Sequence, residues 1–248
     1  MIENPVMTPE TIRTGPTLSG RVVSRTRLTD AETRSMQDLL ARHFAGVEAR
    51  IFHEDLAEKN WVVLLEDGQG ELRGFSTFLM YPSMACGKPM IMVCSGDTIV
   101  DPAAWGSPVL PRTWIRAVYD LRGRYPEGEL YWLLLTSGFR TYRFLSVFCR
   151  EFHPRFDCAV PPGYQRMLDL LGAERFGDLY DKRTGLVRFP SPQALRDRLA
   201  MVPEGRYADP HVRYFLERNP GHASGDELVS LTSLAPDNLT PAGRRMIR

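Results

Sequence analysis

Residues 90–101 have the sequence MIMVCSGDTIVD, an apolar run interrupted by Ser95-Gly96-Asp97-Thr98. The turn sequence PAAWGSP follows at residues 102–108, and residues 109–122 repeat their apolar side chains at helical spacing. LYWLLLT at residues 130–136 is too short for a globular helix and is typical of a buried strand. Strand, turn, helix and strand in this order predict a βαβ unit with parallel strands and a right-handed crossover.

Three further strands are predicted upstream of the strand that starts at Met90. Residues 22–28 alternate loosely and predict an edge strand, and two helices are expected to follow it. Strong strand signals at residues 61–65 and 72–81 flank Asp67-Gly68, a dipeptide typical of hairpins. Together with the strand that starts at Met90, the last two strands predict an antiparallel meander.

Helices and short strands are predicted downstream as well. In chain order, the patterns predict a helix over residues 141–152, a helix over 164–171, a strand pair within 176–189, a helix over 193–201, a helix over 212–216 and a strand at 228–231. His153-Pro154 is expected to stop the first of these helices, and Gly172 to end the second.

Composition limits the class of protein. The 248 residues are 43% hydrophobic and 25% charged, as in one soluble globular domain. A formal net charge of +1 gives no support for a nucleic-acid partner. No run approaches the roughly 18 apolar residues of a membrane span. The four cysteines form no CxxC pair and the five histidines are scattered, so we expect a reduced, cytoplasmic protein without a metal.

The order of elements resembles the GNAT superfamily of N-acyltransferases. It runs strand, two helices, three-strand meander, helix, buried strand, helix and hairpin, and the resemblance covers residues 22–189. It implies an α/β (α+β) fold with a mixed central sheet and flanking helices. We assign residues 1–20 to a flexible lead-in, residues 21–189 to a GNAT-like domain and residues 190–248 to a C-terminal extension that packs on the same domain.

The resemblance also implies a site for a thioester. In that family, the fourth strand ends at a loop whose amides hold the pyrophosphate of acyl-coenzyme A. The matching loop here ends in Pro108, which lacks an amide donor, and a plain turn before a helix is the alternative interpretation. The implied co-substrate is acetyl-CoA or another acyl-CoA, or an acyl carrier protein. The expected binding residues are Thr98, Ile99, Val100, Trp105, Gly106, Ser107, Ser137 and Arg140.

Three residues are candidates for catalysis. Asp97 interrupts an apolar run, where a carboxylate is unfavourable unless it is hydrogen-bonded or reactive. It is either a general base or amine clamp, or a residue that caps backbone amides in a bulge. Tyr142 and Tyr164 occupy positions similar to that of the tyrosine acid of the family. The alternative for Tyr142 is that its side chain only packs in the core. The alternative for Arg140 is that it faces solvent on a helix.

The predicted function is transfer of an acyl group from a thioester to the amine of a small-molecule acceptor. A non-catalytic GNAT-like binding or regulatory module that has lost the cofactor loop is the alternative. Another thioester reaction, such as decarboxylation, is a third. The sequence gives no oligomeric state and no identity for the acceptor.

Overall fold

The computed structural model describes residues 17–125, 127–196 and 199–247. Its strands are β1 (Leu18–Ser24), β2 (Phe44–Ala45), β3 (Trp61–Asp67), β4 (Leu72–Ser83), β5 (Met90–Val100), β6 (Glu129–Thr136), β7 (Tyr180–Asp181), β8 (Leu186–Val187), β9 (Ala194–Leu195) and β10 (Glu227–Ser233). Its helices are α1 (Asp30–His43), α2 (Ala49–Glu58), α3 (Val109–Arg122), α4 (Phe139–Phe148), α5 (Pro162–Phe176), α6 (Pro210–Arg218) and α7 (Pro241–Met246). Most of the predicted N-terminal lead-in lies outside the described residues.

One mixed sheet dominates the fold, in the order β1-β3-β4-β5-β6-β10-β8-β7. β5 and β6 pair in parallel, and α3 connects them, which confirms the predicted βαβ connection. The other neighbouring strands of this sheet pair antiparallel. The meander of β3, β4 and β5 is also as predicted. A mixed sheet with flanking helices is therefore the fold class of the chain.

Helices cover both faces of the sheet. On one face α3 and α4 pack with α6, where Trp114, Leu145 and Phe215 join one buried cluster. On the opposite face α1 and α2 form a second cluster, and α5 packs beside them through Leu168 and Leu171. Removing these apolar side chains from water is the main favourable contribution to folding. The sheet is thus closed to solvent on both faces, except where its strands separate.

Two helices end elsewhere than predicted. α4 ends at Phe148 instead of residue 152, because the chain leaves the helix to pair Cys149 with Leu239. α5 continues through Gly172 to Phe176 and ends at Gly177, whose positive φ of 54° suits a glycine at a helix end. Gly172 was expected to end the helix. It packs against the Tyr180 ring instead, since a Cβ at residue 172 would lie 2.8 Å from ring carbons.

The predicted helix over residues 193–201 is wrong where the structure describes it. Ala194–Leu195 forms β9 and pairs with β2. The Arg196 side chain extends this contact, because its Nε donates to the carbonyl oxygen of Phe44 at 2.9 Å. Residues 197–198 of the predicted helix lie outside the described part of the chain.

The last strand occupies a central position in the sheet. β10 pairs with β6 from Leu228↔Thr136 to Ser233↔Tyr131, and its other edge pairs with β8. Residues after the predicted GNAT-like domain therefore complete the sheet beside β6. Within the described ranges, no helix is both long enough and apolar enough to cross a membrane.

Candidate active site

A gap opens between the two central parallel strands. β5 and β6 pair from Met90↔Glu129 to Cys94↔Leu133, and pairing stops there although β5 continues to Val100 and β6 to Thr136. Beyond that row β5 stays paired with β4, while β6 stays paired with β10. Two halves of the sheet therefore diverge, and a space opens between them.

A β-bulge in β5 lies next to the start of the gap. Ser76 pairs with Thr98 and Phe78 pairs with Ser95, so one residue of β4 faces both Gly96 and Asp97. A bulge bends its strand and re-aims the side chains that follow. The bulge therefore accompanies the separation of β5 from β6. A bulge at Asp97 was one of the two interpretations, but among the described residues the Asp97 side chain accepts no hydrogen bond from a backbone amide.

Two backbone amides of β5 point into the gap. The Asp101 N–H donates to the Arg73 carbonyl at 2.7 Å, toward the β4 side. Because N–H groups alternate along a strand, Ile99 also points toward β4, whereas Thr98 and Val100 point toward the edge that β6 has left. In the described structure these two amides have no ladder partner on β6. They are positioned to donate to a carbonyl oxygen held in the gap.

An apolar cavity of about 40 Å³ lies beside the gap on the α3 and α4 face. Its polar wall atoms already bond each other: Trp132 Nε1 donates to Ser95 Oγ at 2.6 Å, and Ser76 Oγ lies 2.8 Å from Thr98 Oγ1. The apolar walls of this narrow cavity suit a short, slender apolar group. Its remaining walls are mainly Leu110, Pro111, Trp114, Ile115, Leu134, Leu135, Thr141, Phe144 and Phe148.

Charged side chains gather on the opposite face, beside α2. Lys59 is only 4% exposed, and its Nζ donates to Asp55 Oδ1 at 2.5 Å. Gly96 permits this approach, since a Cβ at that position would lie 2.4 Å from Lys59 Cε. Asp97 and Glu227, at the start of β10, are half-buried and interact electrostatically with this pair. We call Asp55, Lys59, Asp97 and Glu227 the charged cluster.

The two half-buried carboxyl groups of the charged cluster hold protons unusually well. Burial raises the pKa of Asp97 to about 7, with Asp55 adding to the rise and Lys59 opposing it. Burial likewise raises the pKa of Glu227 to about 8, assisted by Asp97 and Asp55 and opposed by Lys59. A carboxylate with a pKa near neutrality is suited to accept a proton from a substrate. Among the described residues, no group of three or more His, Cys, Asp or Glu side chains could hold a metal ion.

The turn before α3 differs from the expected phosphate site. The amides of Trp105 and Ser107 donate to carbonyls within the turn, and the Val109 amide donates to Ser107 Oγ at 3.3 Å. Pro108 and Pro111 have no amide hydrogen. A phosphate site at a helix end needs several converging N–H groups. The expectation that Trp105, Gly106 and Ser107 form such a cradle is therefore corrected.

Arg140 closes the side of this turn. Its guanidinium lies 4.3 Å from the centre of the Trp105 ring, which is 43% exposed, and its Nη1 donates to the Leu199 carbonyl at 3.0 Å. Burial and the nearby Arg206 lower the pKa of Arg140. Ser137 lies between β6 and α4, where its backbone contacts His222. Arg140 thus lies beside the turn before α3, while Ser137 contributes a backbone contact.

Known proteins similar to this chain are found among solved structures. No family model matches the sequence, and no curated protein matches it. The central part of the chain has a GNAT-like fold. Its basis is the order of elements, the parallel β5 and β6, the bulge and the gap.

Several of the solved structures that are similar to part of the chain are described as acyltransferases. A probable N-acyltransferase from Enterococcus faecalis V583 is 13% identical with a TM-score of 0.40, and the match covers 54% of this chain and 33% of that protein. A GNAT family N-acetyltransferase from Escherichia coli in complex with CoA is 16% identical over 50% of this chain and 67% of its own, with a TM-score of 0.37. An acetyltransferase from Trypanosoma brucei is 18% identical, and the match covers 57% of this chain and 100% of that protein, with a TM-score of 0.37. This chain spans a third of the Enterococcus protein.

Two predicted site residues of the GNAT-like core lie away from the gap. Tyr142 is fully buried, and its hydroxyl donates to the Pro154 carbonyl at 2.8 Å. Burial raises the pKa of Tyr142 far above its usual value, so its expected role as an acid is corrected to a packing role.

Ile99 directs its side chain into the core beneath α1 and α2.

Tyr164 lies on the α5 face of the GNAT-like core. Its ring centre is 4.5 Å from that of His153, and burial together with Glu151 and Glu129 raises its pKa. Glu129 is the first residue of β6, whereas the gap opens toward the end of that strand. The structure therefore places Tyr164 nearer the paired end of β5 and β6 than the bulge.

Sequence analysis missed the charged cluster apart from Asp97. Glu227 directly precedes the predicted strand at residues 228–231, but nothing local indicated that this strand lies beside β6. Lys59 stood at a predicted helix end, where an exposed side chain is the ordinary expectation. The close approach of Lys59 to Gly96 is a tertiary contact without a local signal.

We predict that Tyr142→Phe lowers the free energy of unfolding of the protein. The change leaves the Pro154 carbonyl without its buried donor, a loss of about 1–3 kcal/mol in the free energy of unfolding. Denaturant unfolding measures this loss, with Tyr207→Phe on the surface as the matched control. If thioester consumption per folded molecule disappears in Tyr142→Phe, the packing role is wrong.

We predict that Asp97→Asn stabilises the protein increasingly as pH rises. With a folded-state pKa of about 7 against a usual value of 3.8, folded Asp97 binds its proton more tightly than unfolded Asp97 does. The free energy of unfolding of the wild type therefore falls as pH rises between these values, and the variant escapes that loss. Thermal melts at several pH values should show a Tm difference that grows toward pH 7, unlike that of exposed Asp120→Asn. A pH-independent difference would contradict the perturbed environment of Asp97.

Proposed function

We propose that the protein transfers an acyl group from a thioester to the amine of a small-molecule acceptor. The observation that supports this most is the gap after Cys94↔Leu133, with an apolar cavity on one face of the sheet and the charged cluster on the other. A thioester arm entering from the α3 and α4 face would meet an acceptor entering from the α2 face. Holding two reactants at one point supplies a large part of the rate of such reactions.

The residues have separate roles in this proposal. The amides of Thr98 and Val100 donate to the thioester carbonyl oxygen and stabilise the negative charge that develops there. Asp97 accepts a proton from the attacking amine. The N–C bond forms, the C–S bond breaks, and the sulfur leaves with the bonding electron pair. Thiols have a pKa of about 8.5, so the sulfur can leave as a thiolate without first receiving a proton from a strong acid. No tyrosine is therefore required to protonate the leaving group.

The donor is a thioester of coenzyme A or of a carrier protein. The cavity and the free β5 amides fit the acyl-bearing end of either donor. The turn before α3 fits a diphosphate poorly, since Pro108 and Pro111 remove amides and Ser107 Oγ occupies another. Arg140 and Arg206 supply positive charge beside that turn for a phosphate group.

A non-catalytic binding module is the second candidate. The depleted amides at the α3 turn favour it, because a GNAT-like protein that has lost diphosphate recognition need not turn over a thioester. Such a module would bind a ligand at the gap without consuming it.

We predict that Asp97→Asn lowers kcat/KM for thioester consumption by about 10²-fold or more, the usual contribution of a general base. The wild-type rate should rise with pH through an apparent pKa of about 7. Thiol release and product mass are measured with acetyl and longer acyl donors and a panel of amines. Asp120→Asn serves as the control of equal charge change.

Two outcomes of this assay would reject the proposal. Unchanged turnover in Asp97→Asn would remove the assigned base. Binding of thioesters by the wild type without thiol release from any amine pair would support the binding module instead.

A further inference from the structure

Two carboxyl groups of the charged cluster have no cationic partner of their own. Lys59 is the nearby cation, and its Nζ is held by Asp55 through the side-chain oxygen at 2.5 Å and the carbonyl oxygen at 3.2 Å. Among the described residues, the side chains of Asp97 and Glu227 form no hydrogen bond or ion pair. Both side chains are half-buried and reach solvent, so a ligand has access to them.

A buried hydroxyl beside the bulge also lacks a partner. Thr77 is 1% exposed, and its Oγ1 forms no hydrogen bond. Thr77 is the β4 residue that faces Gly96 and Asp97, and a Cβ on Gly96 would lie 2.4 Å from Thr77 Oγ1. Buried polar groups without partners are rare in folded proteins. The bulge therefore presents an unsatisfied hydroxyl next to an unpaired carboxyl group.

This arrangement selects the charge of the ligand. Asp55 neutralises Lys59, so ionisation of Asp97 and Glu227 leaves two uncompensated negative charges at the mouth of the gap. An anionic or zwitterionic acceptor would bring a further negative charge next to them. A ligand with two separated positive charges would neutralise both.

On the basis of the proposed acyl transfer, we propose that the acceptor is a small di- or polyamine, with its reactive amine against Asp97 and a second ammonium group against Glu227. Glu227 comes from β10, so the strand that completes the sheet supplies the specificity. In the reaction, the first ammonium group gives one proton to Asp97, and the resulting amine forms the N–C bond as the C–S bond breaks. The second proton of that nitrogen passes to the departing sulfur, which leaves as the thiol. The second ammonium keeps its proton and remains bound to Glu227.

Binding of such a ligand should release protons. Asp97 and Glu227 hold protons near neutral pH when the site is empty, and a bound dication favours their ionised forms. The other charged groups that face them, Asp55 and Lys59, remain paired with each other. Affinity should therefore fall as pH falls below about 7.

Isothermal titration calorimetry of the full chain without a thioester tests the proposal. The probes are 1,4-diaminobutane, spermidine, 1-aminobutane and 4-aminobutanoate, each titrated at pH 7.5 in two buffers of different ionisation enthalpy. We expect the diamine to bind about tenfold or more tightly than the monoamine, as for one charge-assisted contact, and to release protons. Glu227→Gln should abolish that preference, and Asp120→Asn should retain it.

Several results would overturn the proposal. They are equal binding of monoamine and diamine, tighter binding of 4-aminobutanoate, absence of binding by every amine, or a preference that survives in Glu227→Gln. The proton release of the wild type supplies a test that needs no variant, should Glu227→Gln fail to fold. If the acceptor proposal fails but the protein consumes a thioester with another acceptor, the proposed acyl transfer is retained. If the protein binds no thioester, the proposed acyl transfer is rejected as well.

Discussion

The divergence of β5 from β6 is the constraint on which the rest of the structure depends. Pairing ends at Cys94↔Leu133, and beyond that row each strand stays paired with its other neighbour, β4 or β10. The bulge at Gly96 and Asp97 places one extra residue in β5 at this point. A continuous ladder here would satisfy every β5 amide internally and leave no passage between the two faces of the sheet.

The two faces of the gap have opposite character because different helices cover them. α3 and α4 present aromatic and aliphatic side chains, and the polar atoms in that wall are bonded to each other. α2 presents Lys59 and Asp55, which reach the bulge because Gly96 has no side chain. A thioester arm and a cationic amine are therefore suited to opposite sides of one opening. The raised pKa values of Asp97 and Glu227 are a consequence of placing carboxyl groups at that boundary.

Elements with strong local signals were predictable from the sequence. The apolar runs at Met90 and Leu130, and the hairpin at Asp67-Gly68, follow directly from residue type and spacing. Local signals failed where a tertiary contact prevailed. Gly172 lies inside α5 because it packs on Tyr180, and Ala194–Leu195 is extended because it pairs with β2. The position of Asp97 in a bulge was foreseen, whereas the partners that define its chemistry come from α2 and β10 and carry no local signal.

Amide hydrogen exchange measured by NMR at three neighbouring residues of β5 tests the central claim most directly. In the free protein, the amides of Thr98 and Val100 should exchange quickly, whereas the Ile99 amide, directed at β4, should be protected. A stable ketone analogue of an acyl thioester should slow exchange at Thr98 and Val100 and leave Ile99 unchanged. Equal protection of all three amides in the free protein, or no response to any such analogue, would contradict an open gap that receives a thioester carbonyl.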